Sequence, residues 1–319
     1  MKFLGKIFSR WYIIIGFLIF FYIVFYKIDV SKVLETLSKT NLYLVGLVIL
    51  LVFSMSLVQP ARWNYLKKVQ NINYRLKDSF LIYNAGFFFS AITPGHLGDL
   101  IKIFYLKKDG HSVGKSLVSV LLDRASDILF LLLVGYVSMY FFAQFFLKYI
   151  ITITIVGLSV LLFIFIFQRK KFLKIAFQKI ILSIIPVKYQ KSWHLNYHDF
   201  VISIAIYKFK NYFILSLVTI FNWFIYYLSV FLLAKSIGLD NIPFIFLAMS
   251  ITLATLATLI PISIFGLGTR DASLLFFFSF FGVSPEQTIS FSTLYLLMLL
   301  ITASIGFICW LKKPLRFRS

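Results

Sequence analysis

Residues 80–106 read FLIYNAGFFFSAITPGHLGDLIKIFYL, an apolar run that is interrupted in its middle by TPGHLG at 93–98. Each apolar arm has about 10 to 14 residues and would be roughly 15–21 Å long as a helix. The hydrocarbon core of a bilayer is about 30 Å thick, so neither arm can cross it. The sequence therefore predicts a re-entrant hairpin, which enters the membrane and returns to the side from which it came.

A second interrupted run covers residues 242–281 and has the same organisation. It is broken at Pro261 and again at FGLG, residues 265–268. Proline and glycine interrupt helices, and a glycine also lets another group come close to the backbone. We therefore predict a second hairpin here. The breaking residues of the two hairpins are Pro94, Gly95, Gly98, Pro261, Gly266 and Gly268.

The composition is typical of a membrane protein. Of the 319 residues, 61% are hydrophobic and 13% are charged, whereas a soluble domain has about 25% charged residues. This excludes an ordinary soluble enzyme. We predict an all-α polytopic membrane protein with about six full transmembrane helices, two re-entrant broken-helix hairpins and a single membrane domain, 1–319. The uninterrupted apolar runs are Trp11–Tyr26, Leu42–Pro60, Ser116–Leu147, Tyr149–Phe167, Tyr212–Leu233 and Gln287–Leu311.

The basic residues predict the orientation in the membrane. Lys and Arg outnumber Asp and Glu by 32 to 11, which gives a net charge of +21. They lie in short clusters between apolar runs, the distribution that the positive-inside rule produces, so we expect no nucleic acid as a partner. With both termini in the cytoplasm, 24 of the 32 fall on the cytoplasmic side of the plasma membrane and 5 fall outside. The cytoplasmic segments are then 1–10, 61–79, 107–115, 168–211 and 312–319.

The two halves of the chain resemble each other in sequence. Because the charge bias also puts the hairpins on opposite sides, we predict an inverted repeat of the kind that many transporters use, with halves 1–147 and 149–311. The segment 168–211 is an insertion in the second half, and it is either a basic amphipathic helix on the inner leaflet or a simple orientation anchor. The positions that recur at one constant offset are Asp99 with Asp271, Gly110 with Gly282, and Ser112 with Ser284.

Seven charged residues lie at membrane depth. A charge there costs at least about 2.5–3.5 kcal/mol, so it normally faces a cavity or a partner and marks function. In one interpretation, the cations and the helix N-termini of the hairpins bind an anionic headgroup such as a phosphate. In the other, the charges form a self-neutralising buried network that holds the bundle together. The seven residues are Asp99, Lys102, Asp123, Arg124, Asp127, Arg270 and Asp271.

These residues lie in two motifs that resemble those of a known family. PGHLGDLIK at 94–102 and LDRASD at 122–127 carry the first motif, and PISIFGLGTRD at 261–271 carries the second. Together they are similar to the lysylphosphatidylglycerol synthase transmembrane region, also described as a flippase-like domain. The second motif of that family usually ends in Arg-Glu, and Asp271 keeps the charge with a shorter side chain. The resemblance covers roughly residues 10–311.

The resemblance implies a role in moving lipids. The best-understood relatives move aminoacylated phosphatidylglycerol between leaflets and carry a soluble synthase domain, which we do not expect in this chain. We expect a translocator, not an enzyme, without metal or cofactor, whose hairpins meet near the midplane and carry an anionic phospholipid or a polyprenyl-linked lipid. One alternative is a non-catalytic membrane partner of a lipid- or glycan-synthesis enzyme. Another is an intramembrane lipid-phosphate transferase that binds Mg²⁺ through Asp123 and Asp127.

Overall fold

The computed structural model describes residues 14–142, 198–259 and 263–315, and all regular structure in these ranges is helical. This confirms the predicted all-α fold. Residues 94–100 form a 3₁₀ helix, and residues 198–205 are also helical. The other helices are α1 (Ile14–Lys27), α2 (Val30–Ser38), α3 (Leu42–Val69), α4 (Leu76–Ile92), α5 (Ile101–Lys108), α6 (Val113–Phe141), α7 (Phe209–Ser236), α8 (Phe244–Thr258), α9 (Thr269–Ser279) and α10 (Pro285–Lys312).

Three of these helices are long and apolar enough to cross a membrane. Helices α3, α7 and α10 have 28 residues each, or roughly 42 Å of helix, which exceeds the thickness of the hydrocarbon core. Helix α6 is as long but carries charges in its middle. The chain is therefore a multi-pass membrane protein. The predicted span Tyr149–Phe167 and residues 168–197 of the predicted insertion lie outside the described residues, and the orientation of the termini stays a prediction.

Helix α3 is longer than the sequence predicts. We expected this span to end at Pro60, but the helix contains the proline and continues to Val69. Its last turns bury Trp63 and Leu66 completely. Burial of two large apolar side chains offsets the hydrogen bond that the proline removes. As a result, Arg62, which we counted among the cytoplasmic residues, lies in the helix and is buried.

The first interrupted run folds as a hairpin made of α4, the 3₁₀ helix and α5. At its turn, the Gly98 amide donates to Thr93 Oγ1 over 2.7 Å, and a Cβ at Gly98 would lie 2.1 Å from the Phe89 carbonyl oxygen. At its open end, the Tyr74 hydroxyl donates to Asp109 Oδ2 over 2.5 Å. Burial, and then this hydrogen bond, raise the pKa of Tyr74, so the hydroxyl keeps its proton. Because its two ends meet, the hairpin returns to its starting side.

The second interrupted run also folds back on itself, through α8 and α9. The ring centroids of Phe246, near the start of α8, and Phe281, just after α9, lie 5.5 Å apart. The turn contains Gly268, whose φ of 81° is unfavourable for other residues. A Cβ at Gly268 would lie 2.0 Å from the carbonyl oxygen of Gly16, so the turn packs directly against the backbone of α1. Pro261, the predicted first break, lies outside the described residues.

The two hairpins open toward opposite ends of α6. The first hairpin ends at Asp109, and Ser112 then caps the N-terminal end of α6. The second hairpin contacts the other end, where the ring centroid of Phe142 lies 5.2 Å from that of Phe277 and 5.7 Å from that of Phe280. Because α6 is roughly 43 Å long, the two openings lie on opposite sides of the molecule.

Two of the three recurring pairs of residues have the same local structure. Gly110 and Gly282 both have a positive φ, of 89° and 67°, directly after a hairpin. Ser112 and Ser284 each cap the long helix that follows, accepting a backbone N–H over 3.3 and 3.2 Å. These matches support an inverted repeat. The junction between its halves, near residue 148, lies outside the described residues, so the repeat stays a prediction.

Candidate functional site

Six charged side chains meet between α3, the first hairpin and α6. Three are cations and three are carboxylates, so their formal charges cancel. Those on α6 lie 10 to 14 residues from its start, roughly 15–21 Å along the helix and therefore near its middle. We call this set the Arg62 cluster: Arg62, Asp99, Lys102, Asp123, Arg124 and Asp127.

Arg62 joins the two aspartates of α6. Its Nε donates to Asp123 Oδ1 over 2.9 Å, and its Nη1 and Nη2 donate to the Asp127 carboxylate over 2.8 and 2.7 Å. Nη1 also donates to Thr219 Oγ1 of α7 over 3.0 Å. The Arg62 side chain is 1% exposed. A guanidinium suits this position because its planar fork of donors can engage two carboxylates at once.

Asp99 joins the first hairpin to α6. Its Oδ2 accepts from Lys102 Nζ over 2.7 Å and from Arg124 Nε over 2.6 Å. The pairing of Asp99 with Lys102 is the one that a three-residue spacing on a helix predicts. Lys102 Nζ also lies 3.4 Å from Asp123 Oδ2, and Arg124 Nη1 lies 4.0 Å from Asp127 Oδ2. Each charge of the cluster therefore has an opposite charge beside it.

Three polar atoms in and beside the cluster have no hydrogen-bond partner in the described part of the chain. They are Asp99 Oδ1, Arg124 Nη2 and the hydroxyl of Tyr83, a residue of α4. The Tyr83 ring centroid lies 4.1 Å from Lys102 Nζ and 5.9 Å from the centre of the Arg124 guanidinium. Arg124 is the most exposed member of the cluster, with 30% of its side chain accessible. Because buried polar groups are normally satisfied, these atoms are candidates for binding a further polar group.

A second charged site lies at the start of α9, in the second hairpin. Arg270 Nη2 is 3.0 Å from Asp271 Oδ1, and Arg270 Nε donates to Ser292 Oγ of α10 over 3.1 Å. The Ser292 hydroxyl also donates to Asp271. Asp271 Oδ2 accepts the Gly268 amide over 2.8 Å, so this carboxylate caps its own helix. The helix N-terminus that we expected to attract an external anion already has an internal one.

Two of the hairpin glycines, Gly98 and Gly268, contact protein backbone rather than an open ligand position. We expected them to let a ligand approach, but the space above Gly98 and Gly268 is filled by carbonyl groups of α4 and α1. Gly266 has a φ of 72° in the second turn. Pro94 and Gly95 begin the 3₁₀ helix, which runs directly into α5. The first hairpin therefore presents its side chains, not a free helix N-terminus, to the Arg62 cluster.

Aromatic residues of α7 and α10 connect the two charged sites. Trp223 Nε1 donates to Asp127 Oδ1 over 3.2 Å, and the Trp223 and Tyr226 rings lie edge to face at 5.1 Å. The hydroxyls of Tyr226 and Tyr295 are hydrogen-bonded, and the Tyr295 ring lies 4.7 Å from the Arg270 guanidinium. We expected the hairpins to meet directly. Among the described residues, no ion pair or hydrogen bond joins their charges, and the connection instead runs through this aromatic chain.

Comparison with known proteins gives the family. One family matches residues 10–306, a range that contains both hairpins and both charged sites. The chain belongs to the lysylphosphatidylglycerol synthase TM region family. The UPF0104 membrane protein MJ1595 of Methanocaldococcus jannaschii is 30% identical over 132 residues, which are 39% of this chain and 39% of that protein. The match thus spans about two fifths of the relative's length. No solved structure matches the chain.

In this lysylphosphatidylglycerol synthase TM region, Arg62 is the member of the cluster that sequence analysis missed. A signal was present, because Trp63 and Lys67 continue the helical spacing beyond Pro60 and membrane helices tolerate proline. Lys67 is also buried. Its Nζ donates to Ser79 Oγ over 2.8 Å and lies 3.8 Å from the ring centroid of Trp63. Reading α3 to its true end would have placed both cations inside the bundle.

The two aspartates of α6 do not present an open pair of carboxylates to a metal. Asp123 and Asp127 both accept from Arg62, whose positive charge repels a cation at that position. Mg²⁺ requires several oxygen ligands in octahedral geometry. In the ranges that the structure describes, no group of three His, Cys, Asp or Glu side chains could hold a metal. The geometry of this family member therefore favours a role for the aspartates as partners of Arg62.

Proposed function

We propose that the protein moves an anionic lipid between the leaflets of the membrane without chemically changing it. The lipid phosphate binds Arg124 at the first hairpin, while the acyl or prenyl tails stay in the bilayer. Membership of the lysylphosphatidylglycerol synthase TM region family supports a membrane-embedded role. The observation that carries the proposal is Arg124, whose side chain is 30% exposed near the middle of α6 and whose buried Nη2 has no hydrogen-bond partner in the described part of the chain.

The unpartnered donors beside Asp99 are suited to a phosphate. Arg124 Nη2 and the Tyr83 hydroxyl both have a hydrogen to donate, and a phosphate offers several acceptor oxygens. Arg binds phosphate through two parallel N–H donors, as it binds a carboxylate. A headgroup can therefore replace Asp99 as the partner of Arg124, while Lys102 Nζ remains 2.7 Å from Asp99.

The second hairpin supplies a similar exchange on the other side. Arg270 is paired with Asp271, and its guanidinium lies over the ring of Tyr295. A phosphate that leaves Arg124 would meet Arg270 after passing the aromatic side chains of α7.

The two alternatives from the sequence have less support. A transferase that uses Mg²⁺ at Asp123 and Asp127 would first need to displace Arg62 from both carboxylates. A purely structural partner of a synthesis enzyme needs no exposed cation at membrane depth, whereas Arg124 is partly open. Such a partner would keep its function when Arg124 is replaced, so the next experiment separates it from a translocator.

Replacing Arg124 by Ala should slow lipid movement at least about tenfold. A hydrogen bond to a charged group contributes about 1.5–3 kcal/mol, and each 1.4 kcal/mol is a factor of ten. The full chain is reconstituted in vesicles, and transfer of acyl-labelled fluorescent phosphatidylglycerol between leaflets is followed by chemical quenching of the outer leaflet. A parallel set of vesicles contains labelled polyprenyl phosphate, which distinguishes the two sources of the phosphate group.

The matched control for this experiment is Lys235→Ala. Lys235 forms an exposed pair with Asp240 far from the cluster, so its loss should leave lipid movement unchanged. Arg124→Lys keeps the charge without the fork and should give an intermediate rate. Wild-type protein that moves neither probe, or folded Arg124→Ala protein that moves them at the wild-type rate, would overturn the proposed function.

A further inference from the structure

The Arg62 cluster has no spare positive charge for an anionic headgroup. Arg62, Lys102 and Arg124 balance the three aspartates, and the cluster is largely closed to water. A phosphodiester that enters beside Arg124 brings one further negative charge. Four anions would then face three cations in a region where uncompensated charge is poorly solvated. Entry of the lipid therefore requires one compensating positive charge.

Asp99 is the carboxylate placed to accept that charge. It is the acid that shares Arg124 with the incoming phosphate, and its Oδ1 has no partner in the described part of the chain. Asp123 and Asp127 differ, because each keeps its bonds to the Arg62 guanidinium when Arg124 turns away. A neutral Asp99 would leave three cations with two aspartates and the phosphate, which restores the balance.

The surroundings of Asp99 suit a proton and not a metal ion. While Lys102 Nζ and Arg124 Nε both lie within 2.7 Å of its Oδ2, they favour the ionised carboxylate, so Asp99 takes a proton only after Arg124 has turned to the phosphate. A metal ion would need several oxygen ligands besides the one unpartnered oxygen of Asp99. A proton needs only the free Oδ1 as its site, and the unpartnered Tyr83 hydroxyl lies on the adjacent helix. The charged and titratable groups that face Asp99 are Tyr83 from α4, Lys102 from α5, and Asp123, Arg124 and Asp127 from α6. Arg62 and Lys67 of α3 lie behind them.

We propose that the protein carries one proton with each anionic headgroup, and that Asp99 is the proton-binding residue. When the phosphate takes Arg124, the Asp99 carboxylate accepts a proton and becomes a neutral carboxylic acid. When the phosphate leaves, Asp99 releases the proton and pairs again with Arg124. No electron is transferred, and no bond other than that to the proton is formed or broken. This inference rests on the proposed lipid movement and gives it an energy source, a pH gradient.

A pH gradient should therefore distribute the lipid unequally between the leaflets. Vesicles containing the full chain and acyl-labelled phosphatidylglycerol are prepared at pH 7.5 and moved to pH 6.5, with the membrane potential held at zero by equal potassium and valinomycin. One proton for each lipid predicts about a tenfold excess of the probe in the inner leaflet at equilibrium, since one pH unit is a tenfold ratio of proton activity. Without the gradient the probe should be evenly distributed, and protein-free vesicles should show no excess on this timescale.

The variant Asp99→Asn tests whether Asp99 is the residue that binds the proton. The amide mimics the neutral acid and cannot exchange a proton, so the probe that this variant moves, at whatever rate, should show no excess in either leaflet under the gradient. The control Asp240→Asn removes an exposed carboxylate, 70% of which is accessible, and should keep the tenfold excess. A labelled phosphatidylcholine, which brings its own positive charge, should show no response to the gradient if it is moved.

The outcomes separate this inference from the proposed function. Wild-type protein that moves the probe but leaves it evenly distributed across the pH gradient would overturn proton coupling alone. A tenfold excess that persists in Asp99→Asn would overturn the assignment to Asp99. Wild-type protein that moves neither phosphatidylglycerol nor polyprenyl phosphate would overturn both proposals. The wild-type measurement decides about coupling even where the Asp99→Asn variant fails to fold.

Discussion

Replacing Arg62 by Leu should lower the free energy of unfolding by about 3–5 kcal/mol, the cost of removing one partner from a buried salt bridge. The substitution leaves Asp123 and Asp127 without their main cation. Asp123 is fully buried, so water cannot replace the lost donors, and Thr219 also loses its partner on α3. Of all the substitutions that remove one charge from the Arg62 cluster, we expect this one to cost the most stability, because the Arg62 guanidinium contacts three side chains.

Unfolding of the purified protein in detergent, followed by denaturant or heat, measures this effect. Lys235→Ala is the matched control, since its ion pair is exposed and its loss should cost about 0.5 kcal/mol or less. Adding Asp127→Asn to Arg62→Leu leaves two cations with two carboxylates, with Asp123 still beside Lys102, and should recover part of the lost stability. Equal stability of Arg62→Leu and the control would contradict the central role that we give to Arg62.

Gly98→Ala should destabilise the protein by about 3 kcal/mol, at the upper end of the costs of overpacking. The added Cβ would lie 2.1 Å from the Phe89 carbonyl oxygen and 2.2 Å from its carbonyl carbon. These are backbone atoms of α4, so no rotation of a side chain can relieve the contact. The 3₁₀ helix would have to move away from α4, and Asp99, the next residue, would move with it.

Gly46→Ala is the matched control for the hairpin glycine. Gly46 lies inside α3, and a Cβ there would meet nothing within 4 Å. Because alanine favours a helix over glycine, this variant should be unchanged or about 0.5–1 kcal/mol more stable. The same unfolding measurement serves for both variants. A Gly98→Ala protein as stable as Gly46→Ala would show that the hairpin turn can move without cost.

Much of the fold follows from local features of the sequence. The length of each apolar arm predicts the first hairpin, because a helix of about 10 to 14 residues cannot cross the bilayer, and the breaking prolines and glycines predict the second. Asp99 and Lys102 pair as their spacing predicts. The end of α3 is different. Pro60 indicates a helix end when it is considered alone, and only the burial of the turn that follows it shows that the helix continues.

The partners within the charged sites could not be predicted, since they depend on packing between distant segments. Asp99 pairs with Arg124 across 25 positions, and Arg62 with Asp127 across 65. Spacing rules apply within one helix and say nothing about which faces of two helices meet. For the same reason, the aromatic chain through Trp223 had no signal in a sequence with 39 Phe and 18 Tyr. The charged residues other than Arg62 were predictable, because charges are rare at membrane depth.

The aromatic chain between Asp127 and Arg270 has a thermodynamic consequence. Trp223 and Tyr226 lie on one turn of α7, so a shift that changes one contact changes the other. If a headgroup at the first hairpin alters binding at the second by some factor, a headgroup at the second must alter binding at the first by the same factor. The hairpins open on opposite sides of the molecule. Each leaflet would then sense the lipid composition of the other through a single turn of helix.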